Sequence, residues 1–185
     1  MKKILILLTI FAINFVIAQE SYYPSRTGLS WTYNNSETQA ISEYTDANGN
    51  AAKVLVHYLN GQPVSEDYMI FDEKGVRSFG TASGGQAFQY EQPLIIYPPA
   101  PLQVGNTWSS TTKLAGFELS LSGEVVAVRG VQTPVGRFNA LQIRQKTVTS
   151  TGAQTTIDLF FVPSIGVVKW ITEDGVVVDL IEKNF

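Results

Sequence analysis

The sequence predicts an all-β protein: a strongly curved antiparallel meander sheet or partly closed barrel of about eleven strands, in two similar halves. β-Branched and aromatic residues cluster between Gly and Asn turn signals roughly every 8–15 residues. Beyond residue 18, no window places apolar residues at helical spacing. A short pattern also occurs twice, once near the start of each half.

The repeated pattern is a device for bending the chain into a sheet. Its copies are Pro24-x3-Gly28-x2-Trp31 and Pro101-x3-Gly105-x2-Trp108. Proline fixes φ and has no amide hydrogen for a β ladder, and glycine allows a tight bend. The tryptophan then begins a strand and packs inward. The pattern therefore predicts architecture and carries no chemistry of its own.

Residues 1–18 have the layout of a secretory signal peptide. Lys2 and Lys3 precede a long apolar run, and Ala18-Gln19 is a suitable cleavage site. A transmembrane anchor is the alternative, but the run is short for a span of about 20 residues and contains Asn14. We expect an exported protein, periplasmic or extracellular, with no stable membrane insertion once the leader is removed.

Cleavage leaves 167 residues, which suits one domain over 19–185. It removes two of the 13 basic residues and none of the 16 acidic ones, so the net charge becomes −5. An acidic chain without a basic cluster is a poor partner for nucleic acid. With no cysteine, the chain has no disulfide, thiolate metal site or cysteine nucleophile. The oligomeric state stays open.

Turn signals divide the chain into strands joined by short links, so neighbouring strands are expected to pair antiparallel. The predicted turns are 46–50, Asn60-Gly61, Glu73–Gly75, Thr151-Gly152 and Asp174-Gly175. The predicted strands are Ser30–Asn34, Thr38–Thr45, Ala52–Leu59, Val64–Phe71, Val76–Thr81, Thr107–Leu114, Phe117–Val128, Asn139–Thr149, Thr155–Val162, Val167–Thr172 and Val176–Glu182.

Some of these strands are apolar on both faces. They include Val54–Val56, Met69–Phe71, Leu159–Val162 and Val176–Val178. Such strands need cover on two sides, or one of their faces lines an apolar cavity. This is the sequence's first indication of a function that depends on shape.

The stretch Gln86–Gly105 is predicted to be a linker or an extended segment across the sheet. Residues 92–101 hold four of the eight prolines, a density that a central strand does not tolerate. The segment joins the two halves and is the one candidate for a lid.

Catalytic residues are hard to assemble. His57 is the sole histidine and shares a strand face with Leu55, which suits a structural residue of the sheet better than a catalytic base. Glu118 and Glu124 fall on the polar face of an alternating strand, unlike a pair of catalytic acids in register. The segment 46–50 offers oxygen ligands at alternate positions but lacks the rest of a calcium loop, and a hairpin turn explains its residues more simply. We therefore expect no enzyme activity, no metal and no cofactor.

The aromatic residues are left as candidates for recognition. They either fill the core or line a ligand cavity. The ligand-binding candidates are Ile95, Tyr97, Trp108, Phe117, Phe160 and Trp170.

Two further motifs carry a resemblance. Thr133-Pro134-x-Gly136-x-Phe138 and Ile165-Gly166-Val167-Val168 follow the second Pro-x3-Gly-x2-Trp copy. In that order the chain resembles the DUF3108-like, or TapB-like, families of exported bacterial β-proteins. Physically, both motifs are turns that feed the next strand.

The resemblance implies a curved sheet similar to that of periplasmic lipoprotein carriers of the LolA/LolB type. By fold-level analogy, it implies an apolar concave surface for an acyl chain or peptide. The predicted function is therefore a non-catalytic binding or carrier module for an apolar lipid or peptide ligand in the cell envelope. The alternative is a structural or interaction module that binds envelope saccharide or protein through aromatic residues on the sheet surface.

Overall fold

Consecutive strands within each half pair antiparallel in the computed structural model, which describes residues 22–45, 49 and 51–185. The described residues form twelve strands and no helix. The strands are β1 (Ser30–Tyr33), β2 (Glu37–Thr45), β3 (Ala51–Leu59), β4 (Gln62–Asp72), β5 (Gly75–Ser83), β6 (Gln86–Tyr97), β7 (Thr107–Leu114), β8 (Phe117–Thr133), β9 (Gly136–Thr149), β10 (Gln154–Val162), β11 (Gly166–Thr172) and β12 (Val177–Lys183). The predicted all-β meander is confirmed.

Two six-strand meanders form one twelve-stranded sheet. β1 begins the first half and pairs with β12, which ends the second. The sheet order runs from β6 through β1 and β12 to β7. The edge strands β6 and β7 lie beside each other, so the sheet is nearly closed into a barrel.

Side-chain hydroxyls join the two edges of the sheet. The amide of Ile95 on β6 donates to Ser110 Oγ on β7 at 2.8 Å. The amide of Gln92 donates to Thr112 Oγ1 at 3.1 Å. Two edge amides of β6 thus find acceptors across the seam, which limits the hazard of an unpaired edge.

The repeated motif makes the same hydrogen bonds in both halves. Gly28, at φ 85°, donates to the carbonyl of Ile41, whose amide donates back to Leu29. Gly105, at φ 90°, donates to the carbonyl of Val125, whose amide donates back to Asn106. A positive φ at both positions explains why both copies carry glycine.

The two tryptophans of the motif occupy matching places in the ladders. Trp31 pairs with Gln39 on β2, and Trp108 pairs with Gly123 on β8. Each partner lies two residues before the residue that its glycine contacts. Both tryptophans are buried, as expected, so the motif sets the register at the start of each half.

The proline-rich segment corrects the prediction of a linker or lid. Residues 86–97 form β6, the one strand that was not among the eleven predicted, and only 98–106 connect it to β7. β6 tolerates Pro93 because it is an edge strand, and its ladder with β5 is irregular between Ser78 and Gly80.

Several turns follow the sequence signals. Asn60 and Gly61, at φ 51° and 76°, form a two-residue turn between β3 and β4. Ala115-Gly116 makes a similar turn between β7 and β8 that the sequence did not reveal. Residues 46–48 and 50, on which the β2–β3 turn and the calcium-loop hypothesis rest, lie outside the described residues, as do residues 1–21 with the leader.

The buried apolar residues form two clusters, and adjacent residues of β10 belong to different clusters. Leu159 and Phe161 belong to the first cluster, while Phe160 packs with Val131 and Ala140 in the second. The far end of β8 also contacts β11 and β12. The long β8–β9 hairpin thus supplies the second cover that a doubly apolar strand requires.

The Val176–Val178 strand was expected to be covered on both faces, and this is wrong. Val176 and Val177 are 52% and 45% exposed, and only Val178 is buried. The start of β12 is therefore covered on one face only. Among the described residues, no helix is long and apolar enough to cross a membrane.

Candidate functional site

An apolar cavity of about 350 Å³ lies inside the barrel. Aliphatic and aromatic residues of both halves supply most of its wall. They are Tyr23, Pro24, Trp31, Tyr33, Ile41, Leu55, Met69, Phe71, Val76, Ile96, Tyr97, Ile157, Leu159, Phe161, Val167 and Trp170. The volume corresponds to roughly a dozen non-hydrogen atoms at about 30 Å³ each.

Alternation along the strands produces this wall. Leu55 and His57 on β3 face inward, as do Met69 and Phe71 on β4. Side chains two residues apart lie on one face of a strand, and the curvature of the sheet turns those faces toward one another. Three of the four doubly apolar segments of the sequence therefore border the cavity, and Val176–Val178 does not.

An aromatic cluster packs around Tyr23, in the segment before β1. The Tyr23 ring stacks on Tyr97 with centroids 5.5 Å apart, and Phe161 lies 5.7 Å from Tyr23 and 5.2 Å from Tyr97. The Tyr23 hydroxyl donates to the carbonyl of Pro98 at 2.6 Å. The segment before β1 thus contacts both the cavity and the connection between β6 and β7.

Most polar groups in the wall have protein partners. The Tyr33 hydroxyl donates to the carbonyl of Val167 at 2.9 Å, and Trp31 Nε1 donates to the carbonyl of Ile165 at 2.6 Å. Burial raises the pKa of the Tyr33 phenol, so it stays protonated and able to donate. These bonds fix the orientation of two rings without presenting a reactive group.

A charged cluster borders the cavity at His57. Its Nδ1 lies 3.0 Å from Glu37 Oε1 and its Nε2 lies 3.1 Å from Asp67 Oδ2, while Gln39 donates to Glu37 at 2.8 Å. Burial by itself lowers the pKa of His57, but hydrogen bonds and charges from Asp67 and Glu37 outweigh it and raise the pKa to about 9. Histidine is then a cation with both nitrogens donating, which suits a structural ion pair better than a base.

Gln145 carries an unsatisfied polar group in the cavity wall. It lies on β9 between Gly123 of β8 and Ile157 of β10. Its Nε2 is buried and has no hydrogen-bond partner among the described residues. A buried amide donor without a partner costs about 1–3 kcal/mol, so its presence beside an apolar cavity requires an explanation.

The predicted ligand-binding residues divide around this cavity. Tyr97 and Trp170 line it. Trp108 packs on Gly123 in the core, and Phe160 belongs to the second cluster. Phe117 is 54% exposed.

Ile95 completes that group of predicted residues. It packs against the first cluster, but its neighbours Ile96 and Tyr97 form the cavity wall. The β5–β6 ladder is irregular between Val76 and Arg77, which pair with Tyr97 and Ile95, and this changes which residues of β6 face inward. Simple alternation could not have revealed this.

Sequence reasoning missed Tyr23 and Gln145 as cavity residues, and it missed the pairing of His57 with Glu37. Tyr23 comes from the segment before the first strand, and Gln145 looks like an ordinary polar position on β9. Glu37 and His57 are far apart in sequence and meet only through the β2–β3 ladder. Alternation of Leu141, Ile143 and Gln145 was the one available signal for an inward-facing glutamine.

The residues considered for catalysis remain apart. Glu118 and Glu124 are exposed on β8 and do not line the cavity. Within the described part of the chain, no group of three His, Asp or Glu side chains is arranged to hold a metal ion.

No family model, curated protein or solved structure gives a significant match to this chain. The resemblance to the DUF3108-like families therefore stays a prediction from the motifs. The class of protein rests on the fold and the cavity: an all-β near-barrel with an apolar interior.

Proposed function

We propose that this protein is a non-catalytic binding or carrier module for a small apolar ligand held inside the barrel. The observation that carries the proposal is the cavity of about 350 Å³, lined by aliphatic and aromatic side chains from both halves. Ligand sites are typically concave, mostly apolar and furnished with few polar groups. A barrel that contains only packed side chains would not leave such a volume.

The size of the cavity restricts the ligand. Space for roughly a dozen non-hydrogen atoms suits a short acyl segment or a single aromatic side chain. It does not accommodate a whole diacyl lipid, so such a lipid would enter with part of one chain only. If the leader is cleaved as predicted, the ligand belongs to the cell envelope or its surroundings.

The first experiment fills the cavity. Ile157 faces the cavity from β10, and Ile157→Trp should abolish binding of 3-methylbutylbenzene followed by fluorescence of Trp31 and Trp170. Ile181→Trp is the matched control because Ile181 is 41% exposed on β12. Val167→Phe repeats the test at a second point of the wall.

Wild-type affinity retained by both folded cavity variants would refute the proposal. Native mass spectrometry of the protein from its own host, with a parallel lipid extract, identifies any molecule that co-purifies. A bound species present in wild type and in Ile181→Trp, but absent from Ile157→Trp, is the expected result.

A second candidate function rests on the outer face of the sheet. The Tyr44 and Tyr68 rings lie 4.7 Å apart, and Phe79 lies within 6.2 Å of both. A groove beside them is lined by Tyr68 with Pro63, Val64 and Glu66. Partly exposed aromatic residues on a sheet suit a saccharide or an extended peptide of the cell envelope. Tyr68→Ala should abolish binding of a saccharide or peptide to this face and leave binding of the hydrocarbon in the cavity unchanged.

A further inference from the structure

We infer that Gln145 determines ligand specificity, and that the ligand is a neutral apolar molecule with a carbonyl, ether or hydroxyl oxygen that accepts from Gln145 Nε2. This inference rests on the proposed function and names the chemical class of its ligand. The donor is buried, borders the cavity and has no partner among the residues described. An oxygen acceptor inside the cavity would satisfy it.

Several other polar side chains of the wall already have partners. Gln39 donates to Glu37, and Lys53 Nζ donates to Glu43 at 2.6 Å and to Thr27 at 2.9 Å. Tyr33 is bonded to a carbonyl. Among the buried side-chain donors without a partner in the described residues, Gln145 Nε2 is the one that borders the cavity, so a ligand can use it without displacing an existing bond.

The charges around the cavity exclude a free carboxylate as the preferred group. Two cationic side chains border the cavity, Lys53 and His57. Lys53 is paired with Glu43, and His57 is paired with both Glu37 and Asp67. A ligand carboxylate would enter with no unpaired cation in the described wall and would meet an excess of negative charge.

Three ligands of one skeleton test this. They are 4-phenyl-2-butanone, 3-methylbutylbenzene and 3-phenylpropanoate. All three carry a phenylethyl group and have the same number of non-hydrogen atoms, and they differ only in the terminal acetyl, isopropyl or carboxylate group. In wild type at pH 7 the ketone should bind at least about tenfold more tightly than the carboxylate, because burying an unpaired charge is costly.

Gln145→Leu isolates the amide. The ratio of ketone to hydrocarbon affinity should fall about tenfold in this variant, as expected when one buried hydrogen bond is removed. Gln154→Leu, at an exposed position at the start of β10, should leave the ratio unchanged. Gln145→Met serves as a second variant if the leucine variant folds poorly.

The ligand-free protein gives an independent readout. Removing an unpaired buried donor should leave the melting temperature unchanged or raise it. A clear fall in both Gln145 variants would mean that the amide has a structural partner, and would overturn the inference.

The outcomes separate the two proposals. The specificity inference is overturned if the hydrocarbon binds but Gln145→Leu leaves the ratio of ketone to hydrocarbon affinity unaltered. It is also overturned if wild type binds the carboxylate as tightly as the ketone. Either result leaves the proposed binding function standing. Failure of all three ligands to bind overturns both.

Discussion

Trp108 lies flat against Gly123 across the β7–β8 ladder. A Cβ atom at position 123 would come within 2.2 Å of Trp108 Cζ2, far closer than van der Waals contact. The indole occupies the space that any other residue at 123 would need. The second copy of the repeated motif therefore depends on a glycine fifteen residues beyond its tryptophan.

Gly123→Ala should destabilise the protein by about 1–3 kcal/mol, because the buried ring must move to admit the methyl group. Gly130→Ala is the matched control on the same strand, since a Cβ there meets nothing within 4 Å. We expect that control to change stability by less than about 0.5 kcal/mol. Urea denaturation measures both, and equal effects would contradict the close packing.

The two motif tryptophans should respond differently to phenylalanine. Truncation of either to alanine should cost about 3–5 kcal/mol, since both are buried. Trp31→Phe also removes the hydrogen bond to the carbonyl of Ile165, whereas the buried Trp108 Nε1 has no partner among the described residues. Denaturation should therefore show Trp31→Phe to be more destabilising than Trp108→Phe by about 1 kcal/mol or more. The reverse order would contradict this.

The seam between β6 and β7 should open when its hydroxyls are removed. Ser110→Ala and Thr112→Val each leave a β6 amide without its acceptor, at a cost of about 1–2 kcal/mol. Hydrogen exchange at the amides of Gln92 and Ile95 should accelerate in these variants.

Thr111→Val is the control for the seam, because Thr111 is exposed and its hydroxyl contacts Ser120. Its exchange rates should match those of wild type. Unchanged hydrogen exchange at Gln92 and Ile95 in a variant that combines Ser110→Ala with Thr112→Val would mean that the hydroxyls do not hold the barrel closed.

His57 should make stability depend on pH in the alkaline direction. Its folded pKa of about 9 lies above the unfolded value near 6.5, so its contribution is complete below about pH 6.5 and is lost as the pH rises through 9. Relative to His57→Gln, the wild-type free energy of unfolding should fall by about 1.4 kcal/mol per pH unit within that window. The single histidine also gives one imidazole NMR signal, and a titration midpoint near 6.5 would contradict the ion cluster.

The leader makes a separate prediction about the mature chain. Protein recovered from the native envelope or medium should begin near Gln19, because Ala18-Gln19 is a suitable cleavage site. Intact-mass measurement decides this. A mass that retains residues 1–18 would contradict export by cleavage.

Local rules in the sequence were enough for eleven of the twelve strands and for many turns. Asn60-Gly61 forms its turn because both residues tolerate positive φ, whatever surrounds them. Leu119 and Leu121 alternate with polar residues because their strand has one wet face. Gly28 and Gly105 predicted their bends correctly because a positive φ is a property of one residue. These features depend on neighbours along the chain.

The edge strand β6 shows where local rules fail. Its prolines excluded a central strand but could not distinguish an edge strand from a linker, since neither requires Pro93 to donate a hydrogen bond. Its partners are β5 and the hydroxyls of Ser110 and Thr112, and their position follows from closure of the whole sheet.

The sequence by itself determined an all-β chain of antiparallel hairpins, with the same motif leading into the first strand of each half. Only the tertiary structure decided which apolar residues border a cavity and which fill a core. Phe160 and Phe161 are chemically identical neighbours, yet Phe161 lines the cavity and Phe160 packs beneath the β8–β9 hairpin. That distinction, like the unpaired amide of Gln145, depends on how far the sheet curves and on what the distant strands place opposite each face.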